Sequence, residues 1–310
     1  MRSSAILALL CSFLAGASSC SSAAGGDTIL GGSGGSGLLA PDGGGGSGAA
    51  LIDASPGDAS GPPLQGEVYG HSAKVLYRLE PVSKTVTTVG TFDCGDFSSG
   101  NGMWDIAIDK DGAMFGSLNQ GMASALLVRI DKATAHCEKI AEAQSLPNAL
   151  TFVPAGTLDP NEEVLVGFDN TAYVRIDKAT GAKKTIGDLN PNPTGEMWES
   201  SGDVVSIIND KTYLTVAVWG NASSSEPDTI IEVDPVTGKA LKVLGNTGFA
   251  DLYGLGYWGG VAYGFSAAGE LCEIDLGTGK GVAIPLANMP SGLSFWGAGV
   301  TTAAPITVPK

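Results

Sequence analysis

AYVRIDKATGAKKTIG, residues 172–187, reads as a β-strand, a tight turn and a second β-strand. Apolar and polar residues alternate before the turn, which is typical of a half-buried strand. Asp177 can open the turn by accepting hydrogen bonds from backbone N–H groups just ahead of it, and Gly181 supplies the positive φ that closes it. The stretch therefore predicts a β-hairpin.

This hairpin pattern occurs five times along the chain. A single hairpin is marginally stable in water, so repeated copies indicate an architecture in which neighbouring units bury one another's apolar faces. The other copies are VLYRLEPVSKTVTTVG (75–90), LLVRIDKATAHCEKIA (126–141), TIIEVDPVTGKALKVLG (229–245) and ELCEIDLGTGKGVAIP (270–285).

An acidic residue opens the turn of every copy, and successive copies place it 51, 46, 57 and 41 residues apart. Intervals of about 40–50 residues with four strands each are typical of the blades of a β-propeller. Each acidic residue belongs to a different blade, so we interpret the set as turn-forming residues and not as ligands of a shared metal ion. The set is Glu80, Asp131, Asp177, Asp234 and Asp275.

The other half of each repeat is a short apolar strand, a turn and a strand that ends in small or aromatic residues. WDIAIDKDGAMFGSL (104–118) and YGLGYWGGVAYGFS (253–266) show the pattern. From about residue 66 to the C terminus, the sequence resembles the NHL- and YVTN-type propeller repeats. The resemblance implies a fold and leaves the activity open, because propellers host many unrelated functions.

The predicted fold is an all-β, five-bladed propeller over residues 66–310, with six blades as the alternative. The residues that follow Asp275 and those between 66 and Glu80 together make up about one more repeat. We therefore expect residues 291–302 to join residues 68–90 in a single blade that closes the ring.

Residues 1–20 read as an export signal, with Arg2 before an apolar stretch that is too short to span a bilayer. Ala17-Ser-Ser-Cys20 resembles a bacterial lipobox, although Ala stands where Leu is usual, and ordinary cleavage after Ala17 is the alternative. Residues 21–65 are rich in Gly, Ser and Pro and cannot bury enough apolar surface to fold. We favour lipidation at Cys20, a disordered tether over 21–65, and a location in the bacterial cell envelope, either anchored or secreted.

The chain of 310 residues carries a net charge of −15, which opposes contact with nucleic acid or anionic membrane surfaces. Membrane contact is therefore expected only through the lipid anchor, and the domain is expected to be a monomer. Only His71 and His136 are available as imidazole ligands, so we predict no metal site and no cofactor. Calcium is the ion that the acidic composition would permit, but Asp109-Lys-Asp-Gly112 lacks the later ligands of a calcium loop and reads as a hairpin turn.

Three cysteines lie within the predicted propeller: Cys94, Cys137 and Cys272. A disulfide requires Cα atoms within about 7 Å, and we expect Cys94 and Cys137 to lie at opposite faces of neighbouring blades. All three are therefore predicted to be small buried hydrophobic residues, with a Cys94–Cys137 disulfide as the alternative in an exported protein.

The candidate site follows from position, because propellers usually bind ligands where their innermost strands begin, at the mouth of the central channel. Aromatic residues lie there beside carboxylates and amides, a combination that suits sugars, peptides and small polar ligands. The alternative is that these aromatic residues pack blade against blade. The candidate ligand-binding residues are Trp104, Asp105, Asn148, Trp198, Glu199, Asp251 and Tyr253.

Two functions compete for this chain. The first is a binding module, without catalysis, for a small polar ligand, a glycan or a protein. The second is an exported hydrolase: five-bladed glycosidases use three channel carboxylates, which Asp105, Glu199 and Asp251 would imitate, and lactonase-type propellers hold calcium on their inner strands. No motif around these acids matches either class of enzyme, so we prefer the binding module and assign no catalytic residue.

Overall fold

A computed structural model describes residues 67–98, 100–121, 123–222, 225–287 and 289–309. These residues form β-strands and no helix, so they include no helical segment that could cross a membrane. The strands in chain order are β1 (Val68–His71), β2 (Val75–Glu80), β3 (Thr85–Thr91), β4 (Gly102–Ile108), β5 (Met114–Asn119), β6 (Ala125–Ile130), β7 (Cys137–Ala143), β8 (Ala149–Val153), β9 (Val164–Asp169), β10 (Ala172–Ile176), β11 (Lys183–Asp188), β12 (Trp198–Ser206), β13 (Thr212–Val218), β14 (Thr229–Val233), β15 (Ala240–Asn246), β16 (Leu252–Trp258), β17 (Val261–Ser266), β18 (Leu271–Ile274), β19 (Gly281–Ile284) and β20 (Gly297–Val300).

Five antiparallel sheets of four strands each form the blades of a ring. Blades 2 to 5 use consecutive strands, which are β4–β7, β8–β11, β12–β15 and β16–β19. Blade 1 has the order β20-β1-β2-β3, with Val68 opposite Val300 and His71 opposite Gly297. Strands β20, β4, β8, β12 and β16 each contact the equivalent strand of both neighbouring blades, which makes them the innermost strands. The prediction of an all-β, five-bladed propeller is confirmed.

Pairs of aromatic rings pack neighbouring blades together. Edge-to-face and offset-stacked rings with centroids 4.5–7 Å apart add about 0.5–1.5 kcal/mol to the free energy gained by burying their area. The pairs are Phe115–Phe152 between blades 2 and 3 (5.4 Å), Tyr213–Tyr257 between blades 4 and 5 (6.2 Å), and Phe265–Phe295 between blade 5 and the segment that leads into β20 (5.1 Å).

The repeated acidic residues hold the turns, as predicted. Asp177 Oδ1 accepts hydrogen bonds from the backbone N–H groups of Ala179 and Thr180 at 3.0 and 2.8 Å. Gly181 follows with a φ of +68°, which a residue with a side chain rarely adopts. Equivalent bonds from carboxylate to backbone N–H are made by Glu80, Asp109, Asp131, Asp234 and Asp275.

The prediction for two of the cysteines was wrong, because Cys94 and Cys137 form a disulfide with their Cα atoms 5.0 Å apart. Adjacent strands of a sheet are rotated by about 20–25°, and over a four-stranded blade this twist accumulates. The end of β3 therefore meets the β6–β7 turn of the next blade, where Gly90 lies so close to Thr134 O that a Cβ atom would clash. Cys94, just beyond β3, consequently lies beside the start of β7. Cys272 is buried and free, as expected.

The predicted export signal, its lipidation residue Cys20 and the linker over 21–65 lie outside the described residues.

Candidate binding site at the channel mouth

A cavity of about 470 Å³ opens at the end of the ring where the five innermost strands begin. All five blades contribute to its lining, which combines aromatic side chains with amide, hydroxyl and carboxylate groups. The described part of the lining contains no Lys or Arg side chain. The lining residues are Trp104, Asn148, Asp169, Asn170, Ser200, Ser201, Gly202, Ala222, Tyr253 and Trp296.

Bulges in three innermost strands present residues to this cavity. The register of β4 shifts at Trp104, and that of β16 shifts at Tyr253. In β12 the shift spans residues 201–203, which are opposite a single residue of β13. A bulge leaves its extra residue out of the ladder and re-aims the side chain. Of the residues in these bulges, Trp104, Ser201, Gly202 and Tyr253 line the channel mouth.

Three half-buried aromatic side chains, those of Trp104, Tyr253 and Trp296, line the cavity from blades 2, 5 and 1. Trp296 is fixed just before β20 because its backbone N–H donates to His71 O at 2.7 Å. Aromatic rings offer flat apolar area, and Trp and Tyr also carry a polar group that favours contact with polar ligands. The cavity therefore presents apolar surfaces from three directions.

Residues 200–202 of blade 4 contribute a compact part of the lining. Gly202 lies against the backbone of Leu252, and a Cβ atom there would clash with the Leu252 carbonyl oxygen, so the approach of β16 to β12 requires glycine. The backbone N–H of Ser200 donates to Asn170 O at 3.0 Å, which ties β12 to the β9–β10 turn. The Ser200 hydroxyl is buried and has no hydrogen-bond partner among the described residues.

The rim on the side of blade 3 carries polar groups. Asn148 and Asn170 are exposed, and both line the cavity. Asp169 accepts a hydrogen bond from Lys183 Nζ at 2.7 Å, and the same ammonium group donates to Ser145 Oγ at 2.8 Å. The carboxylate at the rim is thus paired with the ammonium of Lys183, while the exposed amides can donate and accept hydrogen bonds.

Three titratable side chains, His71, Asp105 and Asp203, are fully buried next to residues that line the cavity. Asp105 Oδ2 accepts the backbone N–H of Leu150 at 2.5 Å, and Asp203 Oδ2 accepts the backbone N–H of Leu255 at 2.7 Å. Each carboxyl group therefore bonds the innermost strand of the next blade. These bonds satisfy N–H groups that would otherwise be buried without an acceptor.

The electrostatics of this cluster favour neutral groups. Burial, together with the neighbouring Asp203 carboxyl group, raises the pKa of Asp105 well above its usual range. Burial also raises the pKa of Asp203 well above its usual range. Burial lowers the pKa of His71 to about 4, which leaves its ring neutral although Nε2 is 3.8 Å from Asp105 Oδ1.

A further buried acid, Asp228, bonds the same set of inner strands. Its Oδ2 accepts the backbone N–H of Leu252, the first residue of β16, at 2.7 Å. Burial raises the pKa of Asp228 to about 7. Asp105, Asp203 and Asp228 thus all use carboxyl oxygens to hold innermost strands in place.

The structure brings three of the candidate residues together and separates the others from them. Trp104, Asn148 and Tyr253 line the cavity. Asp105 is buried beside it, and Trp198 is buried in the core between blades 3 and 4.

The two remaining candidates make local contacts at the same end of the ring. The Glu199 carboxylate is buried and accepts the backbone N–H groups of Gly220 and Ala222 at 2.8 and 3.1 Å, so it holds the β13–β14 loop. Asp251 has a φ of +51° and accepts the Tyr253 hydroxyl at 3.3 Å. Neither carboxylate is part of the described cavity lining.

Several lining residues were not among the sequence candidates, notably Trp296, Asn170 and the serines 200 and 201. Trp296 directly precedes β20, so the same logic that selected Trp104 and Tyr253 would have included it. The serines line the cavity because of the bulge in β12, and no pattern in the sequence locates that bulge.

The described residues contain no group of three or more His, Cys, Asp or Glu side chains placed to hold a metal ion.

Proteins similar to this chain were found among solved structures. No family model matches the sequence, and no curated protein matches it. An oligogalacturonate lyase in complex with manganese aligns at 9% identity over 73% of this chain and 65% of its own, less than two thirds of its length, with a TM-score of 0.36. A putative TolB from Agrobacterium tumefaciens aligns at 12% identity over 72% of this chain and 79% of its own, with a TM-score of 0.38. BamB from Moraxella catarrhalis aligns at 12% identity over 72% of this chain and 74% of its own, with a TM-score of 0.26. At such identities and TM-scores nothing about ligand, activity or partners follows from these proteins.

Proposed function

We propose that the protein is an extracytoplasmic binding module that holds a small polar ligand at the channel mouth and does not convert it. The observation that carries the proposal is the cavity of about 470 Å³, which Trp104, Tyr253 and Trp296 line from three blades. Ligand sites are typically clefts of about 300–1,000 Å³ in which apolar and aromatic surface is combined with a few polar groups. The exposed amides of Asn148 and Asn170 supply such groups.

Binding accounts for this site better than hydrolysis does. A general acid or base must come within hydrogen-bond reach of the reacting group. Asp105 is fully buried, and an oxygen of its carboxyl group is bonded to a backbone N–H group. The Glu199 carboxylate is bonded to two N–H groups of a neighbouring loop. These contacts explain the acids as structural groups, and they leave the aromatic residues and amides to contact a ligand.

The extracytoplasmic location is supported by two independent features. Residues 1–20 have the sequence of an export signal, and the Cys94–Cys137 disulfide suits an oxidising compartment.

We propose that Cys20 carries a lipid anchor. Cys20→Ser should then move the protein from the membrane fraction to the soluble fraction in detergent partitioning, whereas Cys11→Ser, within the apolar part of the signal, should not. Unchanged partitioning of Cys20→Ser would indicate plain secretion.

The binding function is tested by thermal shift with a panel of neutral sugars, amino acids, short peptides and polyamines. A ligand present at 100 times its Kd stabilises the folded state by about 2.7 kcal/mol, which raises the Tm of a domain of this size by roughly 5–10 °C. We expect at least one class of probe to do so. The same probe should lose its effect on Trp104→Ala and on Asn148→Ala, which remove lining groups.

The control is Asn161→Ala, because Asn161 is exposed on the loop between β8 and β9, at the opposite end of β8 from Asn148. This variant should bind as the wild type does. A panel in which no probe raises the Tm, or a shift that Trp104→Ala and Asn148→Ala both retain, would refute a binding site at the channel mouth.

A further inference from the structure

We infer that the ligand is a neutral oligosaccharide, with one sugar unit in the cavity and the adjoining unit on the exposed face of Trp219. This inference rests on the proposed function and specifies its ligand. It depends on three features of blade 4 and the cavity: an exposed aromatic residue on the rim, a turn that fixes it there, and the charges around the cavity.

The rim of blade 4 exposes a small apolar patch formed by Met197, Val218 and Trp219. Their side chains are 56%, 44% and 51% exposed. The backbone N–H of Trp219 donates to Met197 O at 2.9 Å, so these two residues lie opposite each other on the rim. A tryptophan is usually well buried, so its exposure beside a cavity points to contact with a ligand.

A tight turn holds Trp219 next to the cavity. The N–H of Asn221 donates to Val218 O at 2.8 Å, and Gly220 has a φ of +83°, as the third position of a type II turn requires. Ala222, three residues after Trp219, lines the cavity, so the chain keeps their Cα atoms within about 11 Å of each other.

The buried Glu199 carboxylate makes this turn rigid, because it accepts the N–H groups of both Gly220 and Ala222. A charged acceptor bonded to two backbone donors forms stronger hydrogen bonds than a neutral one. The backbone that carries Trp219 is therefore held in place before any ligand arrives, which lowers the entropy lost on binding. A loop held in this way is suited to present a stacking surface beside the cavity.

The charges around the cavity select against anionic ligands. The described lining contains no Lys or Arg, and the nearby ammonium of Lys183 is already paired with Asp169. The chain as a whole carries a net charge of −15. A carboxylate or phosphate would thus meet an unfavourable potential and no Lys or Arg side chain in the described lining.

A neutral sugar chain fits the remaining groups. A sugar ring has an apolar face that can stack on an aromatic side chain and a polar edge of hydroxyl groups, which donate and accept hydrogen bonds. Asn148 and Asn170 provide complementary amides at the cavity. A chain of such rings can use the cavity and Trp219 at the same time.

The test measures affinities for neutral gluco-, manno- and galacto-oligosaccharides of one to six units, beside uronic-acid oligosaccharides of the same lengths, by titration calorimetry. Affinity for one neutral series should increase on the order of tenfold from one unit to two or three and then level off. Trp219→Ala should lower the affinity for the longer sugars to that for the single unit and leave the latter unchanged. Trp219→Phe, which keeps a ring, should retain most of the increase.

Val282→Ala is the control for a general effect of removing exposed apolar surface, because Val282 is 68% exposed on the outermost strand of blade 5. It should leave all affinities unchanged. Sugars whose affinity does not depend on length, or on Trp219, would overturn the extended site but not the binding function if Trp104→Ala still abolishes binding. Equal or tighter binding of uronic acids, or binding of cationic peptides in place of sugars, would overturn the assignment of a neutral glycan.

Discussion

Removing the disulfide between Cys94 and Cys137 should lower the free energy of unfolding by about 4 kcal/mol. The two cysteines are 43 residues apart in sequence. In the chain-entropy model, a disulfide that closes a loop of this length removes about 13 cal/mol/K of entropy from the unfolded chain. This loss of entropy stabilises the folded state by about 4 kcal/mol at 25 °C. For a domain of this size, losing this stabilisation should lower the Tm by roughly 8–16 °C.

The folded state should change little in the Cys94→Ala/Cys137→Ala variant. Asp93 accepts the backbone N–H of Cys137 at 3.0 Å and contacts His136 Nδ1 at 2.8 Å, so the loop keeps its place beside the β6–β7 turn. The described lining of the cavity includes no residue of this loop, and ligand binding should therefore survive.

Urea unfolding at 25 °C of the variant, the oxidised wild type and the wild type reduced with a phosphine provides the measurement. The reduced wild type should match the variant, which separates the loss of the crosslink from the change of side chains. Equal stability of the oxidised and reduced wild type, with reduction verified by mass spectrometry, would refute the reasoning. So would free thiols at Cys94 and Cys137 in the exported protein.

Three further predictions concern the residues around the channel. Asp228 has a pKa of about 7 when folded and near 4 when unfolded, so the folded chain binds the extra proton between these values. Its contribution to stability is complete below about pH 4 and is lost as the pH rises through 7, at a rate of at most about 1.4 kcal/mol per pH unit. In urea titrations from pH 4 to 8, the free energy of unfolding of Asp228→Asn should therefore fall less with pH than that of the wild type. Gly297→Ala should destabilise the protein by about 1–3 kcal/mol in thermal unfolding, because the new Cβ atom would clash with His71 Nε2 and Asp105 Oδ1; an unchanged Tm would show that the inner strands can move apart. Glu199→Ala should speed hydrogen–deuterium exchange at the amides of Gly220 and Ala222, whereas Glu199→Gln, which keeps an acceptor oxygen, should not; equal exchange in both variants would contradict a role in holding the loop.

The hairpins could be predicted from the sequence because each is determined locally. Asp177 and Gly181 form their turn from contacts within a few residues, and the same residue types recur in the other blades. The period of these turns then determined the number of blades.

The candidate site was only partly predictable, because it depends on register between strands. Trp104 and Trp198 both lie near the start of an innermost strand, yet Trp104 lines the cavity and Trp198 is buried between blades. Side chains alternate between the two faces of a strand, so a shift of one residue moves a side chain from one face to the other. The bulges at Trp104 and Tyr253 are such shifts, and no local pattern marks them.

The disulfide was missed for a related reason. The sequence places Cys94 after an outermost strand and Cys137 at the start of another, which in a flat sheet would put them at opposite faces. The twist that accumulates across each blade brings those strand ends together, and it is a property of the assembled ring and not of either segment.

At the channel mouth, the buried acids bond innermost strands of neighbouring blades, and the aromatic residues line the cavity. An innermost strand pairs on one side only, so its N–H groups on the channel side need acceptors from the neighbouring blade. Asp105 supplies one to Leu150, Asp203 supplies one to Leu255, and both remain sealed from solvent. A carboxyl group used in this way has to stay in place for the ring to close, and it is unsuited to release its partner for a substrate. The bulges that position these acids also place Trp104 and the residues next to Asp203 in the cavity lining. The same irregularities in strand pairing therefore close the ring and form the proposed ligand site.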